Sequence, residues 1–270
     1  MIPSTQEFKA VGQCLGEPRH PGPHTGEDGR TRESAHRRTG GLDGLLHFSH
    51  AGYQFGAQRP LTTSQLDHLI RTFQAPGLAA AHALGGRCAP PRIQLEGIGA
   101  VIVKHYCRGG LLAHLIAKTY VKTAKTRCQT EFEQMEKVRK MGVRAPEPIA
   151  YAYRGRFLYR AWLVTREIER CQSVAELSRT APERIPAVMA HVVEQVNILV
   201  ENEILHGDFH PGNVLIDDRD RIYIVDLDKS GLYRSGKGKL ALKYRRRWVR
   251  AVKKHRLSPL LLNPLEIDRP

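Results

Sequence analysis

The sequence predicts an α+β, two-lobed fold. Three observations predict it. Strand-like runs dominate the first half, with one or two helices among them. The second half is a long apolar helix, a short hairpin and a basic closing helix, so strands and helices do not alternate as βα units. Between the long helix and the hairpin stands a polar loop, His206-Gly207-Asp208-Phe209-His210-Pro211-Gly212-Asn213. With 270 residues, 41% apolar and 26% charged, the chain is large enough to bury a proper core.

The elements follow in order. Residues 1–45 are rich in Gly, Pro, His and Arg and lack any period, so they are expected to be weakly structured. The pattern changes at Leu46. Leu66, Leu69, Ile70 and Phe73 sit at helical spacing, and Pro76-Gly77 ends that helix. Ile98–Tyr106 reads as a buried strand, and Arg108-Gly109-Gly110 as a turn. Leu111, Leu112, Leu115, Ile116 and Tyr120 return to helical spacing. A further helix is expected from about Thr126 to Met141, with Phe132, Met135 and Val138 inward and Gly142 as its stop. Pro146 and Pro148 imply an extended linker, and Phe157–Ile168 one or two strands. Pro182–Leu205 is the clearest helix, with one apolar stripe from Ile185 to Val200. Val214–Ile216 and Ile222–Val225 form a hairpin around Asp217-Asp218-Arg219-Asp220. Leu240–Leu257 is a basic amphipathic helix. The expected organisation is a weakly structured segment 1–45, an N-lobe of about 46–166, a C-lobe of about 167–257 and a tail 258–270.

Charge and composition narrow the function. Lys and Arg number 42 against 27 Asp and Glu, a net charge of +15. Twelve of the basic residues and no acidic ones lie between Lys229 and Arg256. This segment implies an anionic partner such as phospholipid headgroups or a phosphorylated glycolipid. Nucleic acid is not expected, because aromatic stacking residues are sparse at 7%. The five cysteines are scattered with no CxxC pair, and the histidines are dispersed, so reduced thiols and no zinc site are expected. No apolar run is long enough to cross a membrane, and no secretory signal opens the chain.

The polar loop carries the chemistry. His-x-Asp-x4-Asn, then a hairpin, then Ile224-Val225-Asp226 is the catalytic spacing of protein-kinase-like folds. Asp208 is placed to orient an attacking hydroxyl and accept its proton. Asn213 and Asp226 supply hard oxygens for Mg²⁺ beside the triphosphate of ATP. His206 is expected to hold the loop by packing and hydrogen bonding. His210 reads as structural, and Asp228 as a metal ligand or a loop cap. Such a site also needs a strand lysine for the phosphates and a helix carboxylate to hold it. Lys104 follows Val101-Ile102-Val103 and meets the first need; Glu131, Glu133 and Glu136 compete for the second. Glu131 and Glu133 cannot both serve, since they point about 200° apart on a helix. The phosphate-covering loop is weakly marked, with Gly85-Gly86 the best placed glycines. Val164–Ile168 falls where a hinge would meet adenine, with Glu167 as a nucleotide contact.

The chain resembles the lipopolysaccharide kinases, and among them the 3-deoxy-manno-octulosonate (Kdo) kinases. The resemblance rests on Val103-Lys104-His105-Tyr106-Cys107-Arg108-Gly109-Gly110-Leu111-Leu112, on Thr126-Arg127 with Glu131-Phe132, and on Gly142-Val143 with Pro146 and Pro148. It continues through Leu158–Thr165, the His206–Asn213 loop and Val225-Asp226-Leu227-Asp228-Lys229. The resemblance selects Glu131 as the partner of Lys104. It implies ATP- and Mg²⁺-dependent phosphorylation of a sugar hydroxyl, the Kdo of a lipid A precursor, at the cytoplasmic face of a Gram-negative inner membrane. A heptose kinase, an aminoglycoside-like phosphotransferase and a non-catalytic kinase-like adaptor are the alternatives. Asp226-Leu227-Asp228 lacks the glycine of the protein-kinase triplet, and no long activation segment follows. The C-terminal lobe is therefore expected to be minimal and suited to a compact acceptor.

Overall fold

A computed structural model describes residues 39–40, 44–75, 90–106, 120–121, 125–156 and 158–262. These residues form a mixed α+β fold built on antiparallel sheets. The strands of the main sheet are β1 (Thr39–Gly40), β2 (Leu46–His50), β3 (Tyr53–Ala57), β4 (Arg92–Leu95), β5 (Gly99–His105), β6 (Tyr120–Val121), β7 (Pro148–Arg154) and β8 (Leu158–Arg166). Their order is β1-β2-β3-β7-β8-β5-β4, with β6 pairing β8.

Helices cover both faces of this sheet. Helix α1 (Thr63–Gln74) starts at a Thr62–Gln65 capping box and buries Leu66, Leu69, Ile70 and Phe73. Phe73 stacks on Trp162 of β8 with ring centroids 4.7 Å apart. Helix α2 (Arg127–Lys140) starts at Thr126, which accepts from the Gln129 N–H, and lays Phe132, Met135 and Val138 on the opposite face. Strand alternation sorts the side chains between these layers. Val101, Val103 and Trp162 join the α1 cluster, whereas Tyr151 and Leu163 join the α2 cluster. Lys104 pairs directly with Leu163, so it emerges on the α2 face.

The second half packs around helix α4 (Ile185–Glu201), which follows the short helix α3 (Val174–Thr180). Strand β9 (Gln172–Ser173) pairs with β11 (Val214–Ile216), which forms a hairpin with β12 (Ile222–Ile224). Strand β10 (Ile204–Leu205) pairs with β13 (Gly231–Leu232), and helix α5 (Lys237–Lys254) buries Leu240, Tyr244, Trp248 and Val252. The hairpin turn is organised by Asp217, which is buried. Its carboxylate accepts from the Arg219 and Arg221 N–H groups at 3.0 and 2.9 Å and from the Arg221 guanidinium at 2.7 Å. Burial opposes that carboxylate, but the Arg221 bonds prevail and hold its pKa below the usual value.

Several expectations change. The expected linker stops at Glu147, because Pro148 already opens β7, an inner strand between β3 and β8. Pro148 is its first residue, where a missing N–H is tolerated. The long helix ends at Glu201, because Asn202 and Glu203 turn the chain and Glu203 takes φ 54°. Leu205 is therefore a strand residue. Segment 1–45 contains β1, and Leu45 is buried in the core, so the fold begins ahead of Leu46. A two-residue strand leaves no period to read. The tail also begins later than Ser258. Leu261 is fully buried, and the Trp248 indole N–H donates to its carbonyl at 2.9 Å. The expected turn at Arg108-Gly109-Gly110, the helix of residues 111–119, the Pro76-Gly77 stop and the Gly85-Gly86 pair lie outside the described residues. Tyr120 belongs to β6.

Candidate active site

Lys104 is held by two carboxylates from distant parts of the chain. Its Nζ lies 2.9 Å from both Glu131 oxygens and 2.6 Å from Asp226 Oδ1. Glu131 is fully buried on α2, one turn inside the Thr126 cap. The Tyr106 hydroxyl, next but one to Lys104 on the chain, also donates to Glu131 Oε2. Burial works against the Lys104 ammonium, but Glu131 and Asp226 outweigh it and hold its pKa above the usual lysine value. The lysine is a fixed cation with one open side, its side chain 32% exposed. Burial pushes the Glu131 carboxyl up, while Lys104 pulls it back. Glu133, the alternative, turns to Lys125 at 2.6 Å and takes no part in this cluster.

The polar loop is tied down from three sides. His206 is fully buried; its backbone N–H donates to the Tyr244 hydroxyl at 2.8 Å, and that hydroxyl donates to the Ile204 carbonyl at 2.7 Å. Its Nδ1 faces the Asp208 N–H at 3.1 Å and its Nε2 the Val225 carbonyl at 2.9 Å. A donor at Nδ1 and an acceptor at Nε2 require the neutral Nε2–H tautomer. Burial keeps it neutral by lowering its pKa. One ring thus links the Asp208 loop to the residue preceding Asp226, which makes His206 a positioning residue. Asn213 completes the link: its amide N–H donates to the Asp208 carbonyl at 2.9 Å, and its own carbonyl accepts from the Val225 N–H at 3.0 Å. Asp208 itself is exposed, and its carboxylate has no partner among the described residues.

Two features of this loop escaped the sequence reading. Arg247, inside the basic helix, donates to the Gly207 carbonyl and, at 3.3 Å, to the His206 carbonyl. It belongs to the site rather than to the solvent face. Gly207 is needed for a close approach, since a Cβ there would lie 2.2 Å from the Lys229 carbonyl oxygen and 2.3 Å from Lys229 Cβ. Gly207→Ala must therefore push Asp208 and Lys229 apart. It is expected to cost about 1–3 kcal/mol in stability and most of the transfer activity. A thermal melt beside a turnover assay checks both, and a wild-type melt would show that the loop yields freely.

Asp226 adopts the left-handed region at φ 62°, an unusual conformation for a non-glycine residue that costs on the order of 1 kcal/mol. The turn delivers its carboxylate to Lys104. The Asn213 amide oxygen has no partner among the described residues once its nitrogen is committed to Asp208. An amide oxygen and a carboxylate are hard donors that suit Mg²⁺, so the residues present fit the expected metal. Asp228 is engaged by Arg127 instead. Glu167 is less open than expected of a nucleotide contact. Its N–H donates to the Ala100 carbonyl at 3.0 Å, and its carboxylate is bound by Arg92 at 2.6 and 2.7 Å. A hinge contact through that N–H or that side chain would first have to break these bonds.

A sequence model of the lipopolysaccharide kinase (Kdo/WaaP) family matches residues 93–240, which run from β4 to the start of α5 and take in Lys104, Glu131, the His206–Asn213 loop and Asp226 but not Tyr244 or Arg247. Similar proteins include the 3-deoxy-D-manno-octulosonic acid kinases of Photobacterium profundum, 32% identical over 132 residues, and of Vibrio parahaemolyticus, 31% identical over 141. These alignments cover 47% and 51% of this chain and 55% and 58% of those proteins. The corresponding kinase of Stenotrophomonas maltophilia is 29% identical over 138 residues, 48% of this chain and 53% of that protein. The chain therefore spans about half the length of the curated relatives it matches. The family match covers more than half of the chain, and it takes in Lys104, Glu131, the His206–Asn213 loop and Asp226: the chain belongs to the lipopolysaccharide kinase (Kdo/WaaP) family.

Proposed function

We propose that this chain is an ATP- and Mg²⁺-dependent kinase that phosphorylates a hydroxyl of Kdo on a lipid A precursor, using a two-lobed protein-kinase-like fold divided near residues 166 and 167. The observation that carries this reading is the Lys104 cluster, which joins a strand, a helix and the Asp226 turn, beside an exposed Asp208. Lys104 neutralises the phosphates of ATP. Asp208 orients the sugar hydroxyl and takes its proton as that oxygen bonds the γ-phosphorus and the bond from the γ-phosphorus to the departing ADP breaks. His206 and Arg247 hold the backbone that aims Asp208. Asn213 and Asp226 would hold Mg²⁺, which supplies charge neutralisation at the transferring phosphoryl group. The names of the relatives favour Kdo over heptose and over a soluble aminoglycoside. The test is incubation with labelled ATP and purified Kdo–lipid A precursor, followed by mass spectrometry. Transfer to a heptose-bearing acceptor alone would reassign the sugar; no transfer to either would sink the reading.

Among the described residues no helix is long and apolar enough to cross a membrane. We assign membrane approach, at the cytoplasmic face of the inner membrane, to the outer face of α5. At 100° per residue, Leu242, Arg246, Arg250 and Lys253 share one face, opposite the buried Leu240 and Tyr244. Leu242 is 45% exposed amid these cations, an apolar contact set in a basic rim. Each basic residue near an anionic surface contributes on the order of 1 kcal/mol before screening. Arg245, Arg246 and Arg250 all changed to Gln should lose salt-sensitive co-sedimentation with anionic vesicles and keep activity on a short soluble acceptor. Arg247 is left in place because it holds the Gly207 carbonyl. If the wild-type chain fails to bind such vesicles at low salt, α5 serves the fold alone.

A further inference from the structure

Two residues of α2 lie one turn apart on one helix face: Arg127, its first residue, and Glu131. Glu131 reaches Lys104, and Lys104 reaches Asp226. Arg127 reaches Asp228, two residues further along the same turn, with both its Nε (3.1 Å) and a terminal nitrogen. The Asp228 side chain is only 10% exposed, so the carboxylate end of the pair is shielded from water, while the Arg127 side chain keeps 38% exposure. The Arg127 N–H donates to the Tyr159 hydroxyl at 3.1 Å, and its guanidinium lies 5.6 Å from the Tyr106 ring centroid. The result is a closed ring: Asp228 to Arg127, along one turn of helix to Glu131, then Lys104 and Asp226.

We propose that Arg127 and Asp228 form a built-in clamp that seats α2, so that Glu131 stays on Lys104 and the phosphate-binding cation stays assembled before any ligand arrives. Arg127 and Asp228 are positioning residues in this scheme. They act through Glu131 and touch neither nucleotide nor acceptor. The proposal builds on the kinase reading, yet its geometry makes a claim independent of substrate: release of the pair loosens the first turn of α2. That turn carries its own reporter. The Cys128 thiol is fully buried beside Arg127 and lies 3.5 Å from the Ala152 carbonyl.

The experiment uses Arg127→Gln, Asp228→Asn and the double variant in the full chain. The first readout is labelling of Cys128 by a thiol reagent, followed at the peptide level by mass spectrometry so that other cysteines do not interfere. Each single variant should label about tenfold faster than wild type, and the double variant no faster than either single. The second readout is turnover. Each single change should raise KM for Mg·ATP more than it lowers kcat, and both should shift the Mg²⁺ requirement equally. The charge exchange Arg127→Asp with Asp228→Arg should recover part of the loss. Unchanged Cys128 labelling in both single variants, or losses that multiply in the double variant, would overturn the clamp. A shift in Mg²⁺ requirement confined to Asp228→Asn would also overturn it, by making Asp228 a metal ligand. If the wild-type chain binds no nucleotide, the kinase reading fails, and the labelling result still decides the clamp.

Discussion

Asp226→Ala and Asp208→Ala should each abolish phosphoryl transfer, by separable routes. Asp226 meets Lys104 at 2.6 Å, and the residue before it, Val225, donates its N–H to the Asn213 carbonyl at 3.0 Å. Its loss should remove a proposed metal ligand and a partner of Lys104 together, so Mg·ATP binding is expected to fall with activity. Asp208 is exposed, and its carboxylate has no partner among the described residues. Its loss removes proton acceptance and acceptor orientation, worth about 10²–10⁴-fold in rate, and leaves nucleotide binding near wild type. The strained φ of Asp226 adds a second consequence. Asp226→Gly removes the carboxylate and relieves a left-handed backbone, so it should melt no lower than Asp226→Ala while being equally inactive. Nucleotide binding by fluorescence, read beside turnover, separates the routes. Full turnover by purified Asp208→Ala would remove it from the mechanism.

Lys104→Met is the second large effect. The methionine keeps the apolar stem on the α2 face, so the strand still packs, but the cation that faces the phosphates is gone. Glu131 then sits buried with, among the described residues, only the Tyr106 hydroxyl as a side-chain partner. Breaking one side of a buried pair costs about 3–5 kcal/mol. The partial exposure of Lys104 reduces this, and burial already drives the Glu131 carboxyl towards its neutral form. The expected outcome is therefore a folded, measurably less stable protein with turnover lowered by two orders of magnitude or more, on the scale of losing a preorganised charge contact, about 10²–10³-fold. Glu131→Gln should follow it in activity, because a neutral amide cannot hold the ammonium. Glu133→Gln, whose native partner is Lys125 on the surface, should behave as wild type. Equal losses for the Glu131 and Glu133 variants would mean that α2 responds as a whole helix and that no single carboxylate seats the lysine.

The sequence by itself determined the parts whose signal is local. The His206–Asn213 loop, the hairpin and Asp226 lie within a short stretch, and their spacing alone nominates Asp208 as the proposed base and Asn213 and Asp226 as the proposed metal ligands. Helices α1, α2, α4 and α5 were legible because each carries a stripe of apolar residues with the helical period. Strand β5 with Lys104 was legible for the same reason, as an unbroken β-branched run.

Tertiary structure decided what depends on pairing across long separations. Periodicity shows that Glu131 and Glu133 face different ways; only the packing of Phe132 and Met135 against the sheet sets which of them meets Lys104. Strands β2 and β3 are short and mixed in polarity, β3 carries Gly56 and β7 opens on Pro148, so their strand character comes from neighbours that supply hydrogen-bond partners. Arg127 and Asp228 are 101 residues apart, and nothing local to either charge names the other. Arg247 reads as one more cation in a basic helix until α5 docks and its guanidinium meets the Gly207 carbonyl. A charge becomes part of a site through the partner brought to it, and that partner is chosen by how the apolar faces of distant elements pack.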